Sequence, residues 1–390
     1  MRFLTAGESH GQQLTAIIEG FPAGFNIDLS GIQYELWRRQ QGYGRGNRMK
    51  IEQDKVQFLS GVRFAKTIGS PITMVIQNKD WEHWQAVMAS EGKNTHQKEI
   101  TRPRPGHADL VGGLKIRAQD LRDVLERSSA RETAMRVAIG ALCKQFLEAL
   151  GVTIYGKVQS IGTIEDTASF PSLNCIPDEW IQRVEESEVR MIDPNSEQKV
   201  KVEIDQAKRN GYSLGGTIQI RVDGLPAGIG SYTHWDRKID GRLAQAVMSV
   251  NAMKSVLFGD GLELAKSPGY LVMDEIAWDE EEGYQRTSNH LGGIGGGMTN
   301  GMPVMMEVVM KPIPTQYHAL KSVDIHTKQS FQASVERSDT CAVPAAVVVL
   351  ENVVATALAE AILDQFDDSQ MDRLIEHWQA FCTEMKGIME

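Results

Sequence analysis

One short loop brings arginine, histidine and carboxylate side chains together. It reads Arg-Pro-Arg-Pro-Gly-His-Ala-Asp over residues 102–109. The two prolines fix φ and remove backbone donors, so the loop is ordered and not helical. Arginine holds planar anions through paired hydrogen bonds, and histidine exchanges a proton near neutral pH. Arg104 and His107 therefore indicate a site that clamps an anionic substrate and moves a proton. A surface turn with solvated charges is the alternative.

A second histidine lies in a tight turn near the start of the chain. Residues 7–11 read Gly-Glu-Ser-His-Gly and interrupt two apolar runs. The flanking glycines permit a turn that exposes the polar side chains between them. His10 is therefore a candidate for proton transfer, and a structural loop residue is the alternative.

A strongly cationic segment follows the first predicted helix. The sequence predicts Ser30 as the N-cap of a helix that ends near Gln40. Residues 38–48 then carry four arginines among three glycines, at Arg38, Arg39, Arg45, Arg48, Gly42, Gly44 and Gly46. We interpret this as a mobile anion-binding segment, because glycine leaves backbone N–H groups accessible and arginine supplies charge. A nucleic-acid contact and a solvated loop are the alternatives.

The composition is that of an ordinary globular protein with an acidic balance. The 390 residues, enough for roughly two or three domains, are 42% apolar and 24% charged, with a formal net charge of −10. An acidic chain is a poor general nucleic-acid binder, so the arginines are expected to serve a small anion. The four cysteines form no CxxC pair, which favours a reducing compartment and predicts neither disulfides nor a metal site. We find no leader-like segment and no run of about 18 apolar residues, so we expect a cytoplasmic protein without a membrane span.

Hydrophobic periodicity places the polar loops between the elements of a mixed α and β protein. Strands are predicted on both sides of the turn at 7–11 and at 56–60, 70–77, 151–163, 215–222 and 304–310. Helices are predicted at 130–149, 178–187, 196–210, 238–249, 349–366 and 371–386. The first of these helices opens with a capping box of Ser129 and Glu132 and is apolar enough to be buried. Residues 164–213 form a peripheral helical excursion.

The start of the helix at 130 is also a candidate anion site. Its free N–H groups and positive dipole end suit a phosphate, and Arg127 and Arg131 add charge at the same end. A well-capped core helix is the simpler interpretation. Asn251 ends a later helix, where a C-cap is its simplest role.

Two further segments are rich in turn-forming residues. The glycine run at 288–301 matches neither the dinucleotide-binding fingerprint nor the P-loop. Its backbone can lie flat against a planar cofactor because no Cβ intervenes, and a mobile lid is the alternative. A polar turn at 337–341 places Asp339 just before a helix.

Five of these turns, in this order, resemble the chorismate synthase family. They read GESHG at 7–11, RPGHAD at 104–109, RSSARETA at 127–134, a glycine run at 292–301 and RSDTC at 337–341. The resemblance covers essentially the whole chain. It implies an α+β fold of one domain over residues 1–390, a β-α-β sandwich with long helices between two antiparallel sheets, assembled as a homotetramer.

The resemblance also implies a reaction. A carbon–oxygen lyase of the shikimate pathway, which leads to the aromatic amino acids, would eliminate phosphate from 5-enolpyruvylshikimate 3-phosphate in 1,4-anti fashion and give chorismate. The family requires reduced FMN without net redox change, because the proton at C6 is not acidic and the cofactor lends electron density. No reductase-like segment is evident, so an external flavin reductase using NADPH would supply the reduced FMN.

The resemblance assigns roles to individual residues. His107 would protonate the departing phosphate, His10 would protonate the reduced flavin, and Asp339 would help the flavin accept the substrate proton. The expected FMN contacts are Arg127, Ser128, Ser129, Asn251, Ala252, Gly296, Lys311, Pro312, Ile313, Pro314, Thr315 and Arg337. The expected contacts to a substrate or NADP phosphate are Arg39, Arg45, Arg48 and Arg104.

Other classes of function stay open at this point. A non-catalytic flavin or anion carrier would bind without turnover, and an RNA-binding protein would bind through residues 38–48 with strong salt dependence. An ordinary flavin oxidoreductase would oxidise NADPH in each turnover. A small-molecule substrate, with no nucleic-acid or membrane partner, is favoured because two histidines and an aspartate in ordered turns exceed what a carrier needs.

Overall fold

The structure, a computed structural model, describes residues 1–46, 53–93, 96–318, 320–334, 339–366 and 369–387. Arg48 and Arg337, two of the predicted binding residues, lie outside the described residues. Asp339 and the other predicted site residues lie within them.

The strands form two main antiparallel sheets and several short hairpins. They are β1 Arg2–Ala6, β2 Gln13–Glu19, β3 Val56–Ser60, β4 Val62–Arg63, β5 Lys66–Thr67, β6 Ile72–Gln77, β7 Thr153–Ile161, β8 Ile164–Glu165, β9 Gly216–Asp223, β10 Met253–Phe258, β11 Ile276–Asp279, β12 Gly283–Arg286, β13 Ile294–Gly295, β14 Met298–Thr299, β15 Val304–Met310, β16 Lys321–Val323 and β17 Ser330–Gln332. The first sheet has the order β1-β2-β6-β3, and the second has the order β10-β15-β9-β7-β8.

The described residues also form α-helices and short 3₁₀ helices. The α-helices are α1 Leu29–Gln40, α2 Asp109–Ile116, α3 Arg122–Ser128, α4 Thr133–Glu148, α5 Asp178–Glu186, α6 Pro194–Asn210, α7 Ile239–Met248, α8 Gly269–Val272, α9 Val343–Phe366 and α10 Met371–Met385. Short 3₁₀ helices occur at Lys79–His83, Ala130–Glu132, Trp235–Arg237 and Gly261–Lys266.

The core is a layer of helices between the two sheets. α4 packs on β2 and β6 of the first sheet, and α9 packs on β7 and β9 of the second. The two helices also pack on each other. They can approach closely because Gly140 has no Cβ: a Cβ at this position would lie only 2.2 Å from the carbonyl oxygen of Asn352. The expected sandwich of long helices between two antiparallel sheets is confirmed.

Three predicted helix starts are wrong, each for a local reason. The N-cap of α1 is Asp28, whose Oδ1 accepts from the backbone N–H of Ser30 at 2.9 Å. Ser129 caps only a 3₁₀ turn, and Glu132 does not return to it but accepts the Thr5 hydroxyl at 3.2 Å. α9 begins at Val343 and not near 349, because a proline in the first helical turn is tolerated.

The first part of the cationic segment at 38–48 is not mobile, contrary to the sequence-based interpretation. Arg38 and Arg39 are the last buried residues of α1. Arg38 forms ion pairs with Glu35 at 2.9 Å, with Glu351 of α9 at 2.6 Å and with Glu185 of α5. A buried guanidinium is stable only when it is paired in this way.

One helix, α9, is longer and more apolar than the sequence analysis expected of any segment. Among the described residues, α9 is the one helix whose length and hydropathy would allow it to cross a membrane, so the expectation that no such run exists is wrong. It is almost wholly buried inside the protein, as the core helix of the sandwich. Burial on nearly all sides explains its largely apolar composition.

The excursion at 164–213 has a small core of its own. This small cluster consists of Phe170, Ile176, Val184 and Ile192, with Met305 of β15. The excursion also contributes to the main core, through Val189, Met191, Val200, Ile204 and Ala207. It also braces the end of α1, because the Tyr43 hydroxyl donates to Asp205 at 2.9 Å and its backbone N–H to the Glu188 carbonyl at 2.8 Å.

Candidate active site

One buried carboxylate organises the loop at 102–109. Asp109, the first residue of α2, is fully buried. Its Oδ1 lies 2.5 Å from Nδ1 of His107. Its Oδ2 accepts from the backbone N–H of Arg104 at 3.1 Å and from Arg104 Nε at 2.8 Å. The turn that permits this has Gly106 at φ 76°, a conformation that favours glycine.

The contacts of Asp109 determine its ionisation. Burial by itself raises the pKa of a carboxyl, but the hydrogen bonds from His107 and Arg104 and the charge on Arg104 hold the pKa of Asp109 well below its usual range. The ionised carboxylate keeps a proton on Nδ1 of His107, so Nε2 is the nitrogen left for a substrate. Arg104 Nη2 lies 3.1 Å from Nδ1 and 3.3 Å from Nε2 of His107. A cation and a proton-transferring group therefore stand side by side.

The loop is held in place by two neighbouring segments. Arg104 Nη1 donates to Thr315 Oγ1 at 2.8 Å. A Cβ at Gly106 would lie 3.7 Å from Pro314 Cβ and 3.9 Å from Lys311 Nζ, so the segment 311–315 packs on the turn. The hairpin of β16 and β17 holds the other side, because Ser322 donates to the carbonyl of Pro103 at 2.5 Å.

His10 is held by a second buried carboxylate. The Oε1 and Oε2 atoms of Glu126, in α3, lie 2.9 and 3.0 Å from His10 Nδ1, and Oε2 accepts from the His10 backbone N–H at 2.8 Å. Arg122 donates to Oε1 at 2.9 Å. Burial raises the pKa of Glu126, but the hydrogen bond and charge of His10 and the hydrogen bond from Arg122 give a net lowering. His10 therefore also has Nε2 as the nitrogen available to a ligand.

A third cluster places two arginines around one carboxylate. Asp54, whose side chain is fully buried, lies 2.8 Å from Arg39 Nη2 and 2.5 Å from Arg131 Nη1. Arg131 Nε donates to Asn78 Oδ1 at 2.9 Å, and the Asn78 amide donates to the carbonyl of Gly11 at 2.8 Å. The cluster is therefore tied to the His10 turn. These two guanidiniums and one carboxylate carry a net positive charge.

Asp339 pairs with one of the predicted arginines. Arg45 Nη1 lies 2.7 Å from Asp339 Oδ2, and the backbone N–H of Gly46 donates to Oδ1 at 2.6 Å. Thr340 donates its backbone N–H to the carbonyl of Gly44 at 2.9 Å. A shallow depression beside this pair is lined by Lys208, Gly211, Tyr212, Ser213, Thr315, Gln316, Tyr317, Asp339 and Thr340.

Three of the predicted cofactor segments meet in this structure. The Asn251 amide donates to the carbonyl of Ser128 at 2.8 Å, and Lys311 donates its backbone N–H to the carbonyl of Ala252 at 3.0 Å. The predicted C-cap role of Asn251 is wrong, because the cap of α7 is Ser249 and the residue at positive φ is Ala252.

The neighbouring predicted residues are anchored to the frame of the site. Ser129 donates to the hydroxyl of Ser9 at 3.1 Å, and the Arg127 guanidinium donates to Oγ1 of Thr5 at 2.8 Å and to its carbonyl at 3.0 Å. Ser213 donates to the carbonyl of Ile313 at 2.6 Å, within the segment 311–315. The segments that carry the predicted contacts are therefore fixed to the turn at 7–11 and to the second sheet.

The donors where these segments meet suit an anionic group. Burial, and then the positive charge on Lys254, lower the pKa of Lys311. Its ammonium has a described hydrogen bond only to the carbonyl of Pro312, at 3.3 Å. An anion placed here would relieve the repulsion between the two lysines, so a phosphate-bearing cofactor such as FMN fits this end of the site.

Gly296 lies apart from the other predicted cofactor residues. It is in the turn between β13 and β14, where the carbonyl of Gly297 accepts from Ile239 at the N-terminus of α7 at 2.9 Å. Asn251 lies beyond the opposite end of that ten-residue helix. The helix rise separates the two by about 15 Å along its axis. No described atom lies within 4 Å of a Cβ built at Gly296.

Sequence reasoning noted Asp109 only as the carboxylate of its loop, and it assigned no role to three other residues that shape the site. They are Asp54, Trp84 and Glu126. Asp109 had a local signal, since it stands two residues after His107 in the same loop. Glu126 directly precedes the Arg-Ser-Ser turn but is 116 residues from its partner His10. Asp54 and Trp84 lie in stretches without a motif, so nothing in the pattern predicted them.

Comparisons with known proteins agree with the motif order. The family model for chorismate synthase matches residues 1–363. The chain is 56% identical over 379 residues to the chorismate synthase of Enterococcus faecalis, covering 96% of this chain and 97% of that protein. It is 54% identical over 383 residues to that of Bacillus pumilus, covering 97% of each chain. A crystal structure of a chorismate synthase superposes with a TM-score of 0.80 at 41% identity, covering 99% of this chain and 98% of that one.

Proposed function

The chain belongs to the chorismate synthase family, and we propose that it converts 5-enolpyruvylshikimate 3-phosphate to chorismate and phosphate by 1,4-anti elimination. It would then be a carbon–oxygen lyase of aromatic biosynthesis. The observation that carries the proposal is the contact of His107 with both Asp109 and Arg104. This arrangement supplies a proton donor beside an anion-binding guanidinium, which is what the departure of phosphate requires.

His107 acts as general acid in this proposal. Asp109 fixes Nδ1, so the proton for the leaving phosphate oxygen comes from Nε2. Arg104 binds the departing anion and neutralises its growing charge. Thr315 holds the guanidinium through Nη1 at 2.8 Å, which limits its motion while phosphate leaves.

The remaining arginines bind the other anionic groups of the substrate. The substrate carries two carboxylates in addition to its phosphate. Arg39 and Arg131 both pair with the carboxylate of Asp54, and these three groups together carry a net positive charge. Arg39 Nε is buried without a hydrogen-bond partner among the described residues, so this guanidinium keeps a donor for a ligand. Arg45, fixed by Asp339, is the further candidate, and Arg48 and Arg337 stay proposals from the motif alone.

His10, Asp339 and the segments 127–129, 251–252 and 311–315 serve the cofactor in this proposal. Reduced FMN supplies electron density to the reacting ring when it is bound, with no net redox change. Lys311 and Arg127 would hold its anionic and polar groups. His10 holds a proton at Nε2 toward this region, and Glu126 fixes the ring through Nδ1. Gly296 remains a candidate cofactor contact, although within one chain it lies apart from the other proposed cofactor residues.

Several further properties complete the proposal. We infer a single domain over residues 1–390, a homotetramer, a cytoplasmic location, and an external NADPH-dependent flavin reductase as the source of reduced cofactor. The buried position of Arg38 and Arg39 removes two of the four guanidiniums on which an RNA contact through residues 38–48 would depend.

An anaerobic assay tests the proposed function. The protein is mixed with photoreduced FMN and 5-enolpyruvylshikimate 3-phosphate, and chorismate absorbance and phosphate release are followed together. Equal amounts of both products, with the flavin still reduced at the end, are expected. Folded protein that binds FMN but forms no product would leave the carrier function instead. Oxidation of the reduced flavin in step with substrate consumption would indicate an ordinary oxidoreductase.

Glu126→Gln is expected to slow turnover roughly 10²-fold while leaving the fold intact, because the amide offers a donor where the carboxylate accepts from His10 Nδ1. The measurement is kcat at saturating substrate and reduced FMN. Glu132→Gln is the matched control, since this nearby carboxylate takes only the Thr5 hydroxyl among the described contacts. Equal rates for Glu126→Gln and the unmodified protein would contradict the role given to Glu126.

A further inference from the structure

Trp84 lies against His10 but has no part in the reaction described so far. The two rings stack with their centroids 3.8 Å apart and their planes inclined by 22°. Trp84 directly follows the 3₁₀ helix Lys79–His83, in which no residue is buried. The stack therefore joins a largely exposed segment to the candidate active site.

Charged groups surround the indole ring. Lys98 Nζ lies 3.5 Å from a ring centroid of Trp84, and the guanidinium carbon of Arg122 lies 5.0 Å from one. Arg122 also donates to the carbonyl of Lys98 at 2.8 Å and to Glu126 at 2.9 Å. The indole N–H donates to Asp80 at 3.1 Å. Arg122 thus supports both groups that touch His10, the carboxylate at its edge and the indole at its face.

The two contacts of His10 control different degrees of freedom. Glu126 fixes the position of Nδ1, but a hydrogen bond at one edge leaves the ring free to tilt, and the χ2 torsion of histidine is broad. A stacked ring fixes the plane, and in this way it fixes the direction of Nε2. Aromatic stacking and cation–π attraction both favour this contact when the imidazole is protonated.

We propose that Trp84 is a positioning residue whose indole fixes the plane of the His10 imidazole, so that Nε2 points at its partner in proton transfer. The kinetic part of this inference rests on the proposed function. The structural part rests on the stack and on the charged groups that face it: Glu126, Arg122, Lys98 and Asp80.

Turnover of two variants tests the kinetic part. Trp84→Leu is expected to lower kcat roughly 10- to 100-fold with little change in KM, because small misplacements of a reacting group have effects of this size. Trp84→Phe is expected to recover most of the rate, since a phenyl ring can keep the stack. Trp81→Leu, in the same exposed segment without a described ring contact to His10, is the matched control. Equal loss in Trp81→Leu, or no recovery in Trp84→Phe, would overturn the positioning role.

A fluorescence titration tests the stack without turnover. A protonated imidazole in contact with an excited indole quenches it by accepting an electron, and a neutral imidazole does so far less. The contribution of Trp84 is the emission of the unmodified protein minus that of Trp84→Phe. This difference is expected to show a quenching step as the pH is lowered. The step should disappear when His10 is replaced by asparagine in both proteins. A step without chorismate formation would refute the proposed function and keep the stack. Chorismate formation without a step, and with a normal rate in Trp84→Leu, would refute the inference.

Discussion

Replacing His107 with alanine is expected to reduce chorismate formation about 10²- to 10⁴-fold, the usual contribution of a positioned general acid. The loss should fall on kcat, and KM for the substrate should change little, because Arg104 keeps its contacts to Asp109 and Thr315. The measurement is steady-state turnover under anaerobic conditions with reduced FMN in excess. A rate within threefold of the unmodified protein would contradict the assignment.

The chain offers a matched control for this variant. His234 and Asp236 have the same two-residue spacing, and their Nδ1 and Oδ1 atoms lie 2.8 Å apart, but the side chain of His234 is 59% exposed. His234→Ala is therefore expected to keep the normal rate. Asp109→Asn should lower kcat and also raise KM, since Asp109 fixes His107 and Arg104 together. This difference between the two site variants separates proton donation from anion binding.

Replacing Asp54 with asparagine is expected to reduce the free energy of unfolding by about 3–5 kcal/mol, the usual result of removing one partner from a buried ion pair. The variant removes the buried carboxylate that pairs with both Arg39 and Arg131. Urea unfolding at neutral pH measures the change. Glu19→Gln is the control, because it breaks the exposed pair with Arg2 and should cost at most about 1 kcal/mol.

The pH dependence of stability gives Asp54 a second signature. Burial raises the pKa of its carboxyl, but the charges of Arg39 and Arg131 outweigh burial, so the pKa in the folded protein is lower than in the unfolded chain. The stabilisation is therefore fully present above the unfolded value near 3.9 and is lost as the pH falls below it. Asp54→Asn should remove this part of the acid sensitivity. An unchanged slope of stability against pH below pH 4 would contradict the argument.

An added anion should partly rescue the Asp54 variant. If the two guanidiniums form part of an anion site, inorganic phosphate should raise the melting temperature of Asp54→Asn more than that of the unmodified protein. Equal shifts in both proteins would mean that the arginines are only structural.

The local sequence pattern was enough to predict most of the helices and strands and the residue types that the turns present. β15 begins and ends at the predicted residues, 304 and 310, and the strands on both sides of the turn at 7–11 follow from two apolar runs. The errors lie at helix starts, at Asp28, Thr133 and Val343, because caps depend on single side-chain hydrogen bonds that several neighbouring residues can make.

The sequence by itself determined which residue types could do chemistry, because ordered arginine- and histidine-bearing turns are visible without a fold. Only the tertiary structure decided their partners. Glu126 reaches His10 across 116 residues, and Asp54, 15 residues from Arg39, reaches Arg131 across 77. It also decided that Arg38 belongs to the core while Arg104 faces its histidine. The physical reason is that periodicity reports burial along one element, whereas the pairing of charges depends on which elements the sandwich brings into contact.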